Sequence, residues 1–522
     1  MPRPDDDIAA LARGGRTNFF GFVIRLVARI PFLFIAGRFY GPALLGRFAY
    51  AVIVMELAAQ LATLGLKRGL AQQLSTTDQP HVCVVMDGLL AAFFASAVAS
   101  AILMAFPQAM FPAGDVHGAD WLLPLVIFGI AGADVALAAL AYRHDVASTV
   151  RVRAIVEPWV ISITAGALVA TRFHDDGLII AYVASVVAGL TAALWRLVRS
   201  YGLPHGWKPH PGTLMTVARR NIPLAAADAI EWGSRRLDIA ILGWFVAPYY
   251  IGLYYVAQQV ASMPQKLKTS FDPVLAPVIT QKLAEGDKAA VAKQVRQVGF
   301  WIIAAQSAIA LALGIPGKAV MGLVGPRFVG GTAALGFLLA AEVIAATAAV
   351  SESALVYVAR HRNLMISTLM IAVQAVLTVA IIRAMPLLPI RVDPVAGESP
   401  AQTYQNTLQA YQAAGAALAL ALSLALASIL KARLLHRLLG APVQGWRWSL
   451  IWAGAAAILV GFAFLALPRR FEWIQLAIGA PAILLTFGFM VWYRGFTQED
   501  RALFRKHGAE APTLPDSEIA TP

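Results

Sequence analysis

Four arginines stand inside segments that are otherwise apolar enough to cross a bilayer: Arg25, Arg29, Arg235 and Arg236. A guanidinium keeps its charge in any protein environment and matches phosphate oxygens two at a time. Placing one in lipid costs about 3 kcal/mol on insertion scales, so such a group faces a wet cavity or a buried partner. Arg25 and Arg29 are four residues apart and share one helix face. In "DAIEWGSRRLD", Asp228, Glu231, Arg235 and Asp238 form one helical stripe. Arg236 lies about 100° around the helix from Arg235. Cations arranged this way suit a polyanionic ligand. The plainer reading is a buried ionic network, because Glu231 precedes Arg235 by four residues, a favourable helical pair. The sequence leaves both open.

Other charges fall inside apolar segments. Asp134, in "FGIAGADVALAAL", sits near the middle of its segment and suits either a coupling ion or a cavity arginine. Asp134 or Glu56 can pair with Arg25, and Glu342 is a further intramembrane acid. Asp87 and Glu157 stand near segment ends and read as interfacial. Lys67 and Arg68 close the second segment; they can receive an incoming anion or simply anchor the helix end. The acidic triplets "DDD" (5–7) and "HDD" (174–176) look like metal-binding motifs, but neither has a catalytic domain beside it. No metal site is expected, and no cofactor: HExxH, P-loop and dinucleotide fingerprints are all missing. The single cysteine, Cys83, excludes an intrachain disulfide.

The segments that must position these groups are numerous. The 522 residues are 59% hydrophobic and 14% charged, against about 25% charged in soluble proteins. This is an all-α, polytopic integral membrane protein. Fourteen spans are expected: 18–37, 46–66, 84–106, 121–142, 154–171, 177–195, 221–246, 249–265, 298–315, 333–352, 364–386, 410–430, 448–467 and 473–493. The first is read as a retained helix, not a cleaved signal. With both termini in the cytoplasm, Lys and Arg favour the inner side by roughly three to one. The net charge of +13 follows from that bias and does not call for nucleic acid. "LAEGDKAAVAKQVRQ" reads as a short cytoplasmic surface helix, and the outer loop 387–409 as irregular.

The chain also repeats. A shift of 206 residues lays "RIPFLFIAGRFYGPALLGRFAYA" (29–51) on "RRLDIAILGWFVAPYYIGLYYVA" (235–257). Arg29 meets Arg235, Gly37 meets Gly243, Pro42 meets Pro248 and Gly46 meets Gly252, so span 1 aligns with span 7. Six intervening helices give both halves the same orientation, as in a parallel repeat about an axis along the membrane normal. Two six-helix bundles related by a pseudo-two-fold axis, plus two extra C-terminal helices, are expected. Their limits are a tail (1–17), a first bundle (18–200), a linker (201–220), a second bundle (221–430), helices 13 and 14 (431–493) and a tail (494–522).

The stretch "GRFYGPALLGRFAYAVIVMELAAQLATLGLKRGLAQQLS" (37–75), with "IGLYYVAQQVASMP" (251–264) and "VMGLVGPRFVGGTAALGFLLAAEV" (320–343), resembles the polysaccharide transporter family. These are the Wzx-type flippases of lipid-linked oligosaccharides, in the superfamily that also holds lipid II flippases and multidrug antiporters. The resemblance implies alternating access in the bacterial inner membrane. It implies a cationic cavity for an undecaprenyl-diphosphate-linked glycan whose isoprenoid tail stays in lipid. Surface polysaccharide synthesis, beside a polymerase and a chain-length regulator, is the implied setting, with H+ or Na+ as possible coupling ions. On this reading Arg25, Arg29, Arg235 and Arg236 bind substrate. Asp134, Glu231, Asp228, Asp238 and Glu56 act in coupling or gating, and Lys67 and Arg68 form the entrance. The competing readings are a cation-coupled antiporter of the same fold, which paired arginines disfavour, and a membrane polymerase or ligase, which the lack of a large periplasmic loop disfavours.

Overall fold

The computed structural model describes residues 28, 30–112, 114, 116–390, 399–467 and 472–497, without the side chains of 211, 231, 234, 265–278, 281 and 284. Among them there is no strand. The α-helices of eight residues or more are numbered in chain order. The first half holds α1 (Gly41–Ala62), α2 (Leu66–Thr76), α3 (His81–Ala105), α4 (Val126–Tyr142), α5 (Glu157–Leu168) and α6 (Gly177–Tyr201). The second holds α7 (Pro211–Leu242), α8 (Pro248–Ala284), α9 (Lys288–Gly314), α10 (Gly317–Val324), α11 (Thr332–Val358), α12 (Arg360–Ala384) and α13 (Pro400–Leu439). Then come α14 (Trp448–Leu465) and α15 (Ala480–Met490).

Ten helical runs among the described residues are long and apolar enough to cross a membrane. The helices that carry three further expected spans, α5, α7 and α8, are not among the ten. They hold Glu157, the charged stripe and Gln258. These helices carry part of the intramembrane polar groups, beside Asp134 on α4 and Glu56 on α1, which belong to runs among the ten.

Within the first half, α4 packs on α1, α3 and α6, and α5 packs on α6. Within the second, α11 packs on α8, α9 and α13, and α12 on α7 and α13. Helices α14 and α15 pack on each other and on α9, outside the second bundle. Much of the core is alanine: Ala49, Ala51, Ala131, Ala136, Ala416 and Ala417 are all fully buried. Small side chains let helix backbones approach where lipid supplies no hydrophobic drive for association.

The repeated turn forms the main contact between the halves, α1 against α8. A methyl group added at Gly46 would fall 1.8 Å from the Pro248 carbonyl oxygen. One added at Gly252 would fall 2.1 Å from the Pro42 carbonyl oxygen. Residues that align in the repeat thus meet reciprocally, which is the signature of a local two-fold contact.

Two expectations are corrected. "LAEGDKAAVAKQVRQ" is not a separate surface helix: its first residues end α8 and the rest begin α9. Only Glu285–Asp287 interrupt the run, with Gly286 at φ +75° and Asp287 capping Ala290 N–H at 2.9 Å. The outer loop is also shorter than expected. Ser399 and Gln402 form a capping box, so α13 is already helical from Pro400.

Candidate functional site

Three polar clusters stand out among the described residues, one within the first half, one within the second and one between them. The first is built by a π-turn, Arg151–Val156, that leads into α5. Arg153 donates through Nη2 to Asp134 Oδ1 on α4 and through Nη1 to Glu157 Oε1, the latter at 2.6 Å. Asp134 is buried. Glu157 is held from a second side, because a methyl at Gly189 would fall 2.6 Å from its Oε1. Glu56 on α1 and Tyr182 on α6 border this cluster within electrostatic reach. Glu157, expected near a segment end, is half-buried there and is turned onto Arg153.

The second cluster spans α7 and α8. Asp238 is fully buried, as is Tyr254. The Tyr254 hydroxyl donates to Asp238 Oδ2 at 2.5 Å, and Gln258 Nε2 donates to the same oxygen at 3.2 Å. Arg236 donates to Gln258 Oε1 at 3.1 Å. Here a carboxylate is held by a phenol and an amide, with the arginine one step removed. Arg235, on the next position, is exposed.

The third cluster joins α2 to α7. Arg68 Nε donates to Asp228 Oδ1 at 2.8 Å, with the Asp228 side chain 4% exposed and that of Arg68 50% exposed. The helices are pressed together there. A methyl at Gly65, where φ is +68°, would lie 2.6 Å from Ala225 N, and one at Gly69 would lie 2.1 Å from Asn221 Oδ1. The expected entrance residue Arg68 and the expected cavity acid Asp228 are thus one contact between the two halves. Lys67 is exposed beside it.

Arg25 and Arg29 lie outside the described residues, as does the side chain of Glu231 and the "DDD" triplet. Asp87 accepts from Trp207 Nε1 at 2.9 Å, a helix-end role. His174 of "HDD" stacks on Tyr40 with ring centroids 4.7 Å apart, which ties that turn to the start of α1. Two site residues escaped the sequence. Arg153 had been placed in the loop before span 5, and Lys431, whose Nζ donates to Glu352 Oε1 at 2.8 Å, one residue past span 12. The signal available for Arg153 was Glu157 four residues on, the favoured spacing for a helical ion pair.

The fold is similar to that of a lipid II flippase MurJ in an inward closed conformation, at TM-score 0.66 and 10% identity over 94% of this chain and 98% of that one. It is also similar to an inward-facing multidrug resistance MATE family transporter of the MOP superfamily, at TM-score 0.60 and 12% identity over 80% of this chain and 98% of that one. A third similar structure is a MOP superfamily transporter from Pyrococcus furiosus, described as having a binding pocket of reverse polarity, at TM-score 0.51 and 13% identity over 83% of this chain and 95% of that one. No curated protein matches the sequence. The chain is a multi-pass membrane protein with the flippase and transporter fold. Residues 35–303, just over half of the 522, match the family described as polysaccharide biosynthesis protein, and the chain belongs to that family.

Proposed function

We propose that this protein flips a polyprenyl-diphosphate-linked oligosaccharide from the cytoplasmic to the periplasmic leaflet of the bacterial inner membrane, for surface polysaccharide synthesis. The two bundles, 18–200 and 221–430, rock about the Gly46–Gly252 contact, and both termini stay in the cytoplasm. Arg25, Arg29, Arg235 and Arg236 receive the diphosphate, with Lys67 and Arg68 at the entrance.

One observation carries the reading. Four of the intramembrane acids are engaged inside the protein: Asp134 and Glu157 by Arg153, Asp228 by Arg68, Asp238 by Tyr254 and Gln258. Arg235 is also exposed on α7. A site whose acids are engaged within the protein suits an anionic head group better than a cationic drug. Uniform, very tight binding defeats transport, since cargo must leave, and a few cations meet that need better than many.

The test is deletion followed by extraction of membrane lipids. The expected result is accumulation of a diphosphate-linked oligosaccharide confined to the cytoplasmic leaflet, restored to export by the wild-type gene. Arg29→Ala and Arg235→Ala variants should insert normally and fail to restore it. Normal export without the protein, or with both variants, defeats the proposal.

A further inference from the structure

Beside the Arg68–Asp228 contact lies a recess of about 610 Å³ between α3, the end of α1 and the start of α7. That is within the usual range of ligand pockets, roughly 300–1,000 Å³. Its walls are Leu90, Phe94, Ala95 and Val98 on one side and Leu214, Met215 and Ala218 on the other, with Leu64 and Pro209 also contributing. Every lining residue is apolar. Phe94, Val98 and Met215 are exposed by 55, 62 and 56%, so the carbon surface is open and not folded into the core.

The recess is continuous with the junction of the two halves. Leu64 immediately precedes Gly65, whose backbone presses on α7, and Ala218 stands one turn before Asn221 on the same helix. Cations border it. Lys67 follows Leu64 by three residues, in the first turn of α2, and Arg219 follows Met215 by four on one face of α7. Both are exposed, and neither enters an ion pair among the described residues. Arg68, half exposed, completes the edge.

We propose that this recess seats the polyprenyl chain of the lipid-linked cargo while its diphosphate meets Lys67, Arg68 and Arg219. The proposal rests on the flippase reading and replaces the expectation of a tail left in bulk lipid with a seat on the protein's lipid-facing surface. Charge complementarity selects the occupant: a carbon-only floor with a cationic edge matches a molecule with one long hydrocarbon chain ending in a diphosphate. Burial of each isoprene unit against the floor adds affinity that the head group alone lacks. Ordering the chain on the protein also fixes the head beside the α2–α7 junction, which limits the entropy lost when the head enters.

The experiment uses the purified full-length chain in phosphatidylcholine nanodiscs. A benzophenone-bearing farnesyl diphosphate is photolysed and its attachment mapped. Binding of inorganic pyrophosphate, farnesyl diphosphate and undecaprenyl diphosphate is measured in parallel. The label is expected within residues 90–98 and 209–218, and farnesyl diphosphate is expected to bind about tenfold or more tightly than pyrophosphate. Ala95→Trp and Ala218→Trp fill the recess from its two walls. Each should bring farnesyl diphosphate down to the level of pyrophosphate and leave pyrophosphate itself unchanged, with the thermal unfolding midpoint confirming the fold. Labelling elsewhere overturns the proposal, as does displacement by phosphatidylglycerol as effective as by undecaprenyl diphosphate, which marks an ordinary lipid surface. If pyrophosphate binds but chain length adds nothing, only the tail seat fails. If no diphosphate binds at all, the flippase reading fails and takes the tail seat with it.

Discussion

The two halves of the molecule handle a buried carboxylate in different ways. In the first half, Asp134 and Glu157 share one guanidinium, that of Arg153. In the second, Asp238 has no arginine in contact; a tyrosine and a glutamine hold it, and Arg236 reaches only as far as Gln258. Yet the turns that join the halves are matched almost atom for atom, Gly46 on Pro248 and Gly252 on Pro42. The repeat has kept its backbone contact and let its charges diverge. Close approach of two backbones tolerates only glycine, whereas a buried acid can be satisfied by several kinds of donor. At these two acids the first half uses a guanidinium and the second uses neutral donors, although the second half has its own partly buried ion pair, Lys431 with Glu352.

The sharpest way to break this comparison is to remove Arg153. Arg153→Ala leaves two carboxylates in a low-dielectric setting with no countercharge. Breaking a buried pair from one side typically costs about 3–5 kcal/mol. Loss of most folded protein, read as detergent-solubilised monodisperse yield and unfolding midpoint, is expected. Arg153→Gln combined with Asp134→Asn and Glu157→Gln should recover much of the yield, because the charges leave together. Equal loss in the single and triple variants would mean that packing and not charge sustains the cluster.

The matched glycines provide the complementary test. Gly46→Ala and Gly252→Ala each push a methyl group into a carbonyl oxygen of the other half. Overpacking of this kind costs about 1–3 kcal/mol, and here it also separates α1 from α8. Both substitutions should depress transport and the thermal unfolding midpoint to a similar degree. A large effect at one glycine and none at the other would show that the two-fold contact is geometric only.

The polar cluster of the second half is expected to give less. Tyr254→Phe removes one donor to Asp238 and leaves Gln258 in place, a loss of about 1–3 kcal/mol if the oxygen stays unsatisfied. Asp238→Asn in the same chain should offset part of that loss, since an amide needs no charge-stabilising donor. A thermal midpoint for the double variant above that of Tyr254→Phe alone is the expected sign. No recovery would place the tyrosine's contribution in packing.

Much of this was legible in the sequence, and the exceptions share a cause. The stripe Asp228, Arg235 and Asp238 was readable because its charges interrupt an apolar run from within. The repeated turn was readable because Gly and Pro are required at fixed offsets. Arg153 and Lys431 were missed because a hydropathy reading ends a span at the first charge it meets. A charge within a residue of a span's end is then assigned to the loop, even when a π-turn or an extra helical turn aims it inward. The contact of Arg68 with Asp228 was not readable for another reason: it links α2 and α7, 160 residues apart, and pairing across that distance depends on packing alone. The extension of α8 and α9 toward one another was hidden because a polar, helix-forming stretch looks the same whether it continues a membrane helix or lies on the surface.

The smallest effect is expected in the connection between α4 and α5, and pH reveals it. Asp145 accepts from Ser148 N–H at 3.1 Å and from Ser148 Oγ at 2.6 Å, and Arg196 Nη2 stands 3.4 Å away. The hydrogen bonds from Ser148, opposed by partial burial and aided by Arg196, hold its carboxyl below the usual range. A depressed folded-state pKa means that the charged form favours the native state. That contribution is complete above the ordinary carboxylate value, about 4, and is lost as pH falls through the lower folded value. Asp145→Asn keeps a good helix cap and removes only the charge, so the loss near pH 7 should be a few tenths of a kcal/mol, about the scale of an exposed pair. The midpoints of wild type and variant should therefore differ slightly at neutral pH and converge below about pH 4. A gap that persists unchanged in acid assigns the difference to the cap's hydrogen bonds and not to the charge.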